Sequence, residues 1–188
     1  GLTVFNCDLL YEFDPVAGKF YSLGFKELAE RFEIKIHRSL QFDSNNNFYG
    51  ATACLHREDQ RAEGRGGRIF HYDYATAKFD FLGIPVPHDY IQTITVDEKR
   101  QLIYGVTYPV FEFFAYDLVK RENRFRQYMG SAPHIMAVDD AGCVWSTWNT
   151  RTHNLFKYDP DSNKVTYFNH SLIQDQGADL MYPGAGPI

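Results

Sequence analysis

Residues 133–168 read PHIMAVDDAGCVWSTWNTRTHNLFKYDPDSNKVTYF, and this stretch decides the fold. An apolar run ends at Asp139, a polar turn closes on Gly142, and an aromatic-bearing run leads back through Trp145 and Trp148. A third run ends at Tyr158-Asp159-Pro160, a polar turn follows, and Val165 to Phe168 form a fourth run. Four short runs of β-branched and aromatic residues joined by Asp, Asn and Gly turns predict consecutive hairpins.

The same pattern recurs toward the N-terminus. Strand–turn–strand segments with an aromatic before Asp occur at 11–24 (YEFDPVAGKFYSLG), 70–83 (FHYDYATAKFDFLG), 114–130 (FAYDLVKRENRFRQYMG) and 156–168. Their turn aspartates are Asp14, Asp73, Asp117 and Asp159. A second family alternates with them at 39–52, 93–107 and 135–148, with Asp43, Asp97 and Asp139 in its turns. The order is strand A, B, C, D, repeated every 42 to 59 residues. Four strands at such a period predict the blade of a β-propeller, an all-β fold with no room for βαβ crossovers.

Blade counting gives one partial propeller domain over residues 1–188. A half blade covers 1–24, complete blades cover 38–83, 92–130 and 134–168, and the tail 169–188 leads toward a further blade. About 3.5 four-stranded blades suit part of a seven-bladed ring. A missing chain segment or a second copy is expected to complete it, because open blade faces leave apolar surface and strand edges bare. Phe25, Leu28, Ala29 and Phe32 follow helical spacing, which predicts one short helix near 25–33. An insertion of about ten residues lies between strands B and C of the first full blade, in LHREDQRAEGRGGR (55–68).

The chain carries 19 Lys and Arg against 24 Asp and Glu, a net charge of −5, which argues against a general nucleic-acid or anionic-membrane binder. It leaves open a small-molecule or oligosaccharide ligand or a protein partner. Three cysteines with no C-x-x-C give neither a disulfide framework nor a zinc knuckle.

Both irregular segments fall on the face formed by the D–A and B–C connections, where long connections tend to carry function. His37, His88 and His134 precede strand A, His56 and His153 follow strand B, and His170 ends a strand D; only His71 is mid-strand. Arg57, Tyr90, Tyr108, Asn149 and Arg151 fall on the same face, and a His/Tyr/Arg set suits proton abstraction and donation as well as ligand binding. The candidate ligand-binding residues are Arg57, His88, His134, Asn149 and Arg151. Three imidazoles converging on the axis would suit a divalent metal such as Zn or Mn, with Ca a further choice for an oxygen-lined site. The arginines of the 55–68 insertion suit contact with an anionic substrate.

Pro133-His134, the turn Asp139 to Gly142, Trp145 and the Tyr-Asp-Pro turn resemble blades of the streptogramin-lyase-like, YVTN-type propeller superfamily. LIYGVTYPVFEFFAYDL (102–118) is similar to blades of propeller enzymes that cleave uronic-acid polysaccharides by elimination. The Glu-Gly-Pro and Asn-Gly signatures of gluconolactonase-type propellers are absent from the sequence. The resemblance implies a lyase acting on an acidic polysaccharide by β-elimination, periplasmic or secreted, with His37, His56, Tyr90 and Tyr108 as acid–base candidates. A non-catalytic ligand- or protein-binding propeller and a metal-dependent hydrolase or lactonase are the alternatives.

Overall fold

The computed structural model describes residues 8–131, 133–148 and 154–170. The expected tail beyond residue 170 and the candidates Asn149, Arg151 and His153 lie outside the described residues. The fold is an all-β propeller arc. β1 (Tyr11–Asp14) and β2 (Lys19–Ser22) form a two-stranded sheet. β3 (Glu33–Phe42), β4 (Phe48–Cys54), β5 (Ile69–Asp73) and β6 (Lys78–Gly83) form the first four-stranded blade. β7 (Tyr90–Asp97), β8 (Leu102–Tyr108), β9 (Glu112–Asp117) and β10 (Glu122–Tyr128) form the second. β11 (Ala137–Val138), β12 (Val144–Trp148), β13 (Asn154–Asp159) and β14 (Lys164–Tyr167) form the third. Every neighbouring pair is antiparallel and sequential.

The repeat aspartates make the turns. Asp14, Asp43, Asp73, Asp97, Asp117, Asp139 and Asp159 each accept backbone N–H groups two to four residues on. Such turns let a short carboxylate replace a missing ladder bond. Each reversal then passes through a left-handed residue: Gly18, Asn46, Ala77, Gln101, Arg121, Gly142 and Asn163 all have φ between 53° and 83°.

The blades pack face to face, and each interface is a separate apolar core. Leu10, Phe25, Phe48, Phe70 and Tyr72 fill the first, between β1–β2 and the first blade. Ala51, Ile69, Ile91, Ile103, Phe114 and Tyr116 lie between the first and second blades. Tyr104, Val106, Phe113, Met136, Phe156 and Tyr158 lie between the second and third. A recurrent device sets the spacing within a blade. Gly50 faces Phe70 across β4–β5, and Gly105 faces Phe114 across β8–β9. A Cβ at either glycine would collide with the opposing ring. In the third blade the same position holds Ser146 opposite Phe156. At the start of the arc, Tyr11, Phe13 and Phe20 stay half or more exposed.

The expected helix near 25–33 is only a 3-10 turn, Phe25–Leu28. The backbone turns extended at Ala29, with φ −68° and ψ 136°. Two polar captures explain the stop. Arg68 donates to the Leu28 carbonyl at 2.7 Å, and the Glu30 N–H donates to the Glu33 carboxylate at 2.8 Å. A continuing helix would need both groups for its own ladder. Phe25 alone of the predicted stripe is fully buried, while Leu28 is exposed and Phe32 turns its ring edge toward His56.

Candidate functional site

The insertion between β4 and β5 is not a loose rim. It forms a second 3-10 turn, Glu58–Glu63, strapped to the connection that leads into β7. Arg61 pairs with Asp89, whose fully buried carboxylate also accepts from the Thr107 hydroxyl at 3.0 Å. The Gly67 N–H donates to the Asp89 carbonyl at 2.7 Å, and the His88 N–H to the Arg65 carbonyl at 3.0 Å. On the outer side, Arg31 pairs with Glu63 at 2.6 Å and Arg65 with Glu30 at 2.7 Å. Beneath the strap lies a cavity of about 580 Å³ lined by Cys54, His56, Glu58, Arg61, Tyr90 and Tyr108, with Leu55, Pro109 and Val110 closing it. That volume is in the range of small-molecule sites.

Tyr90 and Tyr108 are cross-strand partners, with ring centroids 5.1 Å apart. The Tyr90 hydroxyl donates to the Gln92 side-chain carbonyl at 2.8 Å. Burial, reinforced by Tyr108, pushes its pKa up to about 12, so it stays protonated and acts as a donor rather than a base. Tyr108 is 42% exposed and presents its ring at the mouth of the cavity.

His56 lines the cavity but is occupied. Its Nδ1 faces the Arg57 carbonyl and its Nε2 the His88 carbonyl, each at 2.9 Å. Both nitrogens face carbonyl acceptors, and a neutral imidazole has one N–H to donate, so a substrate group must displace a backbone carbonyl to reach either nitrogen. Its role here is to clamp the insertion to the neighbouring connection. Arg57 is exposed, pairs with Asp59 at 3.0 Å and is not among the residues that line the cavity. Arg61, Arg65 and Arg68 are also paired with carboxylates, which corrects the expectation of arginines held open for an anionic substrate.

Of His37, His88 and His134, expected to converge at the axis, the structure brings two near each other. His37 and His134 come together, with ring centroids 5.5 Å apart. His88 does not join them, because its Nδ1 is engaged by the Gly64 carbonyl at 2.7 Å. His37 also sits inside β3 rather than before it, since β3 begins at Glu33. Its Nδ1–H donates to the Gln92 carbonyl at 2.9 Å when that nitrogen carries the proton. Among the described residues, no group of three or more His, Cys, Asp or Glu side chains is placed to hold a metal ion. Gln92 links the two halves of the site, taking Tyr90 on its side chain and His37 on its backbone. Nothing in its strand context marks it in the sequence.

Burial holds both axial imidazoles below the usual histidine range; the Gln92 contact opposes this at His37, while Lys35 and Arg38 add to it at both. In the unfolded chain they take up protons near pH 6.5, and in the folded chain only at lower pH. Stability is therefore full above about pH 6.5 and is lost as pH falls through that value toward the folded pKa values. A calorimetric melt is expected to fall further between about pH 7.5 and pH 5.5 for the native chain than for a His37→Gln/His134→Gln variant. Equal falls would contradict the neutral state of these rings.

No family model matches this sequence, and no curated protein matches it. Among solved structures, a chain of a mitotic checkpoint complex is similar over 65% of this protein and 33% of its own length, with 10% identity and a TM-score of 0.47. A luciferin-regenerating enzyme is similar over 69% of this protein and 44% of its own length, with 12% identity and a TM-score of 0.43. The chain thus spans less than half the length of either similar structure.

Proposed function

We propose that this propeller binds a sugar-sized ligand in the cavity beneath the 55–68 strap, with Tyr108 as its stacking platform. The observation that carries this reading is the adjacent Tyr90–Tyr108 pair in the wall of a cavity also lined by Glu58 and Arg61. A flat aromatic face suits the apolar face of a sugar ring, and a few polar groups at the rim fix its orientation. Affinity for a panel of neutral and uronic oligosaccharides tests the proposal. Tyr108→Ala is expected to weaken binding about tenfold or more, the scale of a buried aromatic anchor. Tyr128→Ala, an exposed tyrosine at the end of β10, should bind as the native chain does. Failure of every panel member to bind, or equal affinity in Tyr108→Ala, would overturn it.

The second reading is a lyase acting on uronate-containing polysaccharide, and the axial histidines favour it. With Nδ1–H donated to Gln92, the Nε2 lone pair of neutral His37 is available beside His134. In an elimination such a base takes the proton α to the carboxylate. A protonated group, for which Tyr90 is suited, gives a proton to the departing glycosidic oxygen. The products are a new reducing end and a sugar with a carbon–carbon double bond. Ultraviolet absorbance growing on incubation with polygalacturonate supports this reading; no growth on any uronate polymer removes it.

A further inference from the structure

The innermost strand of the first blade is interrupted where it meets its neighbours. After a first slip between Glu33 and Lys35, β3 reaches Ile36 opposite Thr52 and resumes only at Leu40 opposite Gly50, so residues 37–39 bulge out of the ladder. Arg38, in the bulge, has φ 46°. Bulges of this kind re-aim side chains and recur beside functional sites. This one is stapled to the innermost strand of the next blade. His37 Nδ1 meets the Gln92 carbonyl at 2.9 Å, and the Thr93 hydroxyl donates to the Arg38 carbonyl at 3.1 Å. The Ser39 hydroxyl donates to the His37 carbonyl at 2.6 Å, and Ser39 is buried. The bulge thus sets His37 against His134, which leads into β11, and β7 packs between, against both β3 and β11.

Charge at this junction is one-sided. Among the described residues, every arginine other than Arg38 and Arg124 has a carboxylate partner. Lys35 has none either among those residues. Lys35 and Arg38 both act on the two imidazoles. Lys35 shares that lack with the other lysines of the described residues, so the unpaired arginine beside two imidazoles is what sets this junction apart.

We propose that Lys35, His37, Arg38 and His134 form a binding site for a small oxyanion, a carboxylate or a phosphate, at the junction of the three inner strands. Arg38 supplies a planar set of N–H donors suited to two oxygens at once, and Lys35 a second positive charge. The imidazoles add N–H donors when protonated, and a bound anion favours that protonation. None of the four residues lines the tyrosine-walled cavity, to which they connect through Gln92. Its proposal does not depend on the cavity's ligand.

Histidine-ring NMR of the full chain in low salt tests it, with sodium phosphate, sodium galacturonate and neutral methyl galactoside as probes. Phosphate, galacturonate or both are expected to shift the His37 and His134 ring signals, and methyl galactoside to leave them in place. A response to both anions assigns recognition to charge alone, and a response to one names the preferred group. Arg38→Gln should weaken anion binding about tenfold or more, the scale of a charge-assisted contact. Arg124→Gln should not. Tyr108→Ala should leave anion binding intact, so failure of the cavity reading and failure of this one are read separately. Unmoved ring signals with both anions, or equal anion affinity in Arg38→Gln and the native chain, would overturn the proposal. Unchanged circular dichroism of the Arg38 variant excludes misfolding as the cause of a loss.

Discussion

Replacing Glu33 by alanine is expected to destabilise the protein by about 3–5 kcal/mol, the cost of stranding one partner of a buried ion pair. The Glu33 side chain is 1% exposed and that of Arg68 12% exposed. The carboxylate accepts from the Thr52 hydroxyl and from Arg68 Nε, each at 2.7 Å. Arg68 continues to the Leu28 carbonyl and lies over the Phe81 ring, 3.7 Å from its centroid. One pair therefore ties β3, β4, the approach to β5 and the Phe25–Leu28 turn together. Urea unfolding is the measurement, and at about 1–3 kcal/mol per molar the midpoint should fall by roughly 1 M or more. A Glu33→Ala/Arg68→Met double variant should recover part of the loss, because the buried cation is then gone. A single-variant loss below about 1 kcal/mol would show the pair to be solvated, contrary to its burial.

Phe113→Ala is expected to cost a similar amount, about 3–5 kcal/mol, for a different reason. Phe113 is fully buried between the second and third blades. Its ring meets Phe156 at 5.4 Å, Tyr158 at 5.2 Å and Phe125 at 6.1 Å between centroids. Truncation leaves a cavity among rings anchored on two separate sheets, which cannot both relax inward. The same urea series measures it, with Phe42→Ala, an exposed ring on β3, as the near-neutral control. A small loss for Phe113→Ala would mean that the blade-on-blade interface is not the stabilising contact.

The propeller repeat was legible because its turns are written locally. An aspartate at the strand end and a left-handed residue three or four positions later, as at Asp73 and Ala77 or Asp117 and Arg121, are fixed by contacts within the turn. Tyr-Gly at 49–50 and 104–105 is equally local, though its meaning as a seat for Phe70 and Phe114 appears only in the cross-strand register. The helix near 25–33 failed because Arg68, forty residues away, takes the Leu28 carbonyl. Helical spacing cannot register such a competitor.

The site was legible as a set of residue types and not as an arrangement. Tyr90, Tyr108 and His56 do line one cavity, and His37 does meet His134. The bulge at 37–39 depends on pairing with β4, so its sequence, His-Arg-Ser, gave no sign that His37 lies within a strand. Partners distant in sequence also decided which candidates are occupied. His56 is held by a carbonyl 32 residues away, and Arg61 by a carboxylate 28 residues away.

The proposed ligand site lies where the strap, the start of β7 and the end of β8 meet. Backbone amide NMR during titration with the tightest-binding sugar of the panel tests this most directly. The expected result is shifts concentrated at residues 54–61, at Tyr90 and at Tyr108 and Val110, with the turns at 74–77 and 118–121 unmoved. Shifts confined to those turns, on the opposite edge of the blades, would contradict it.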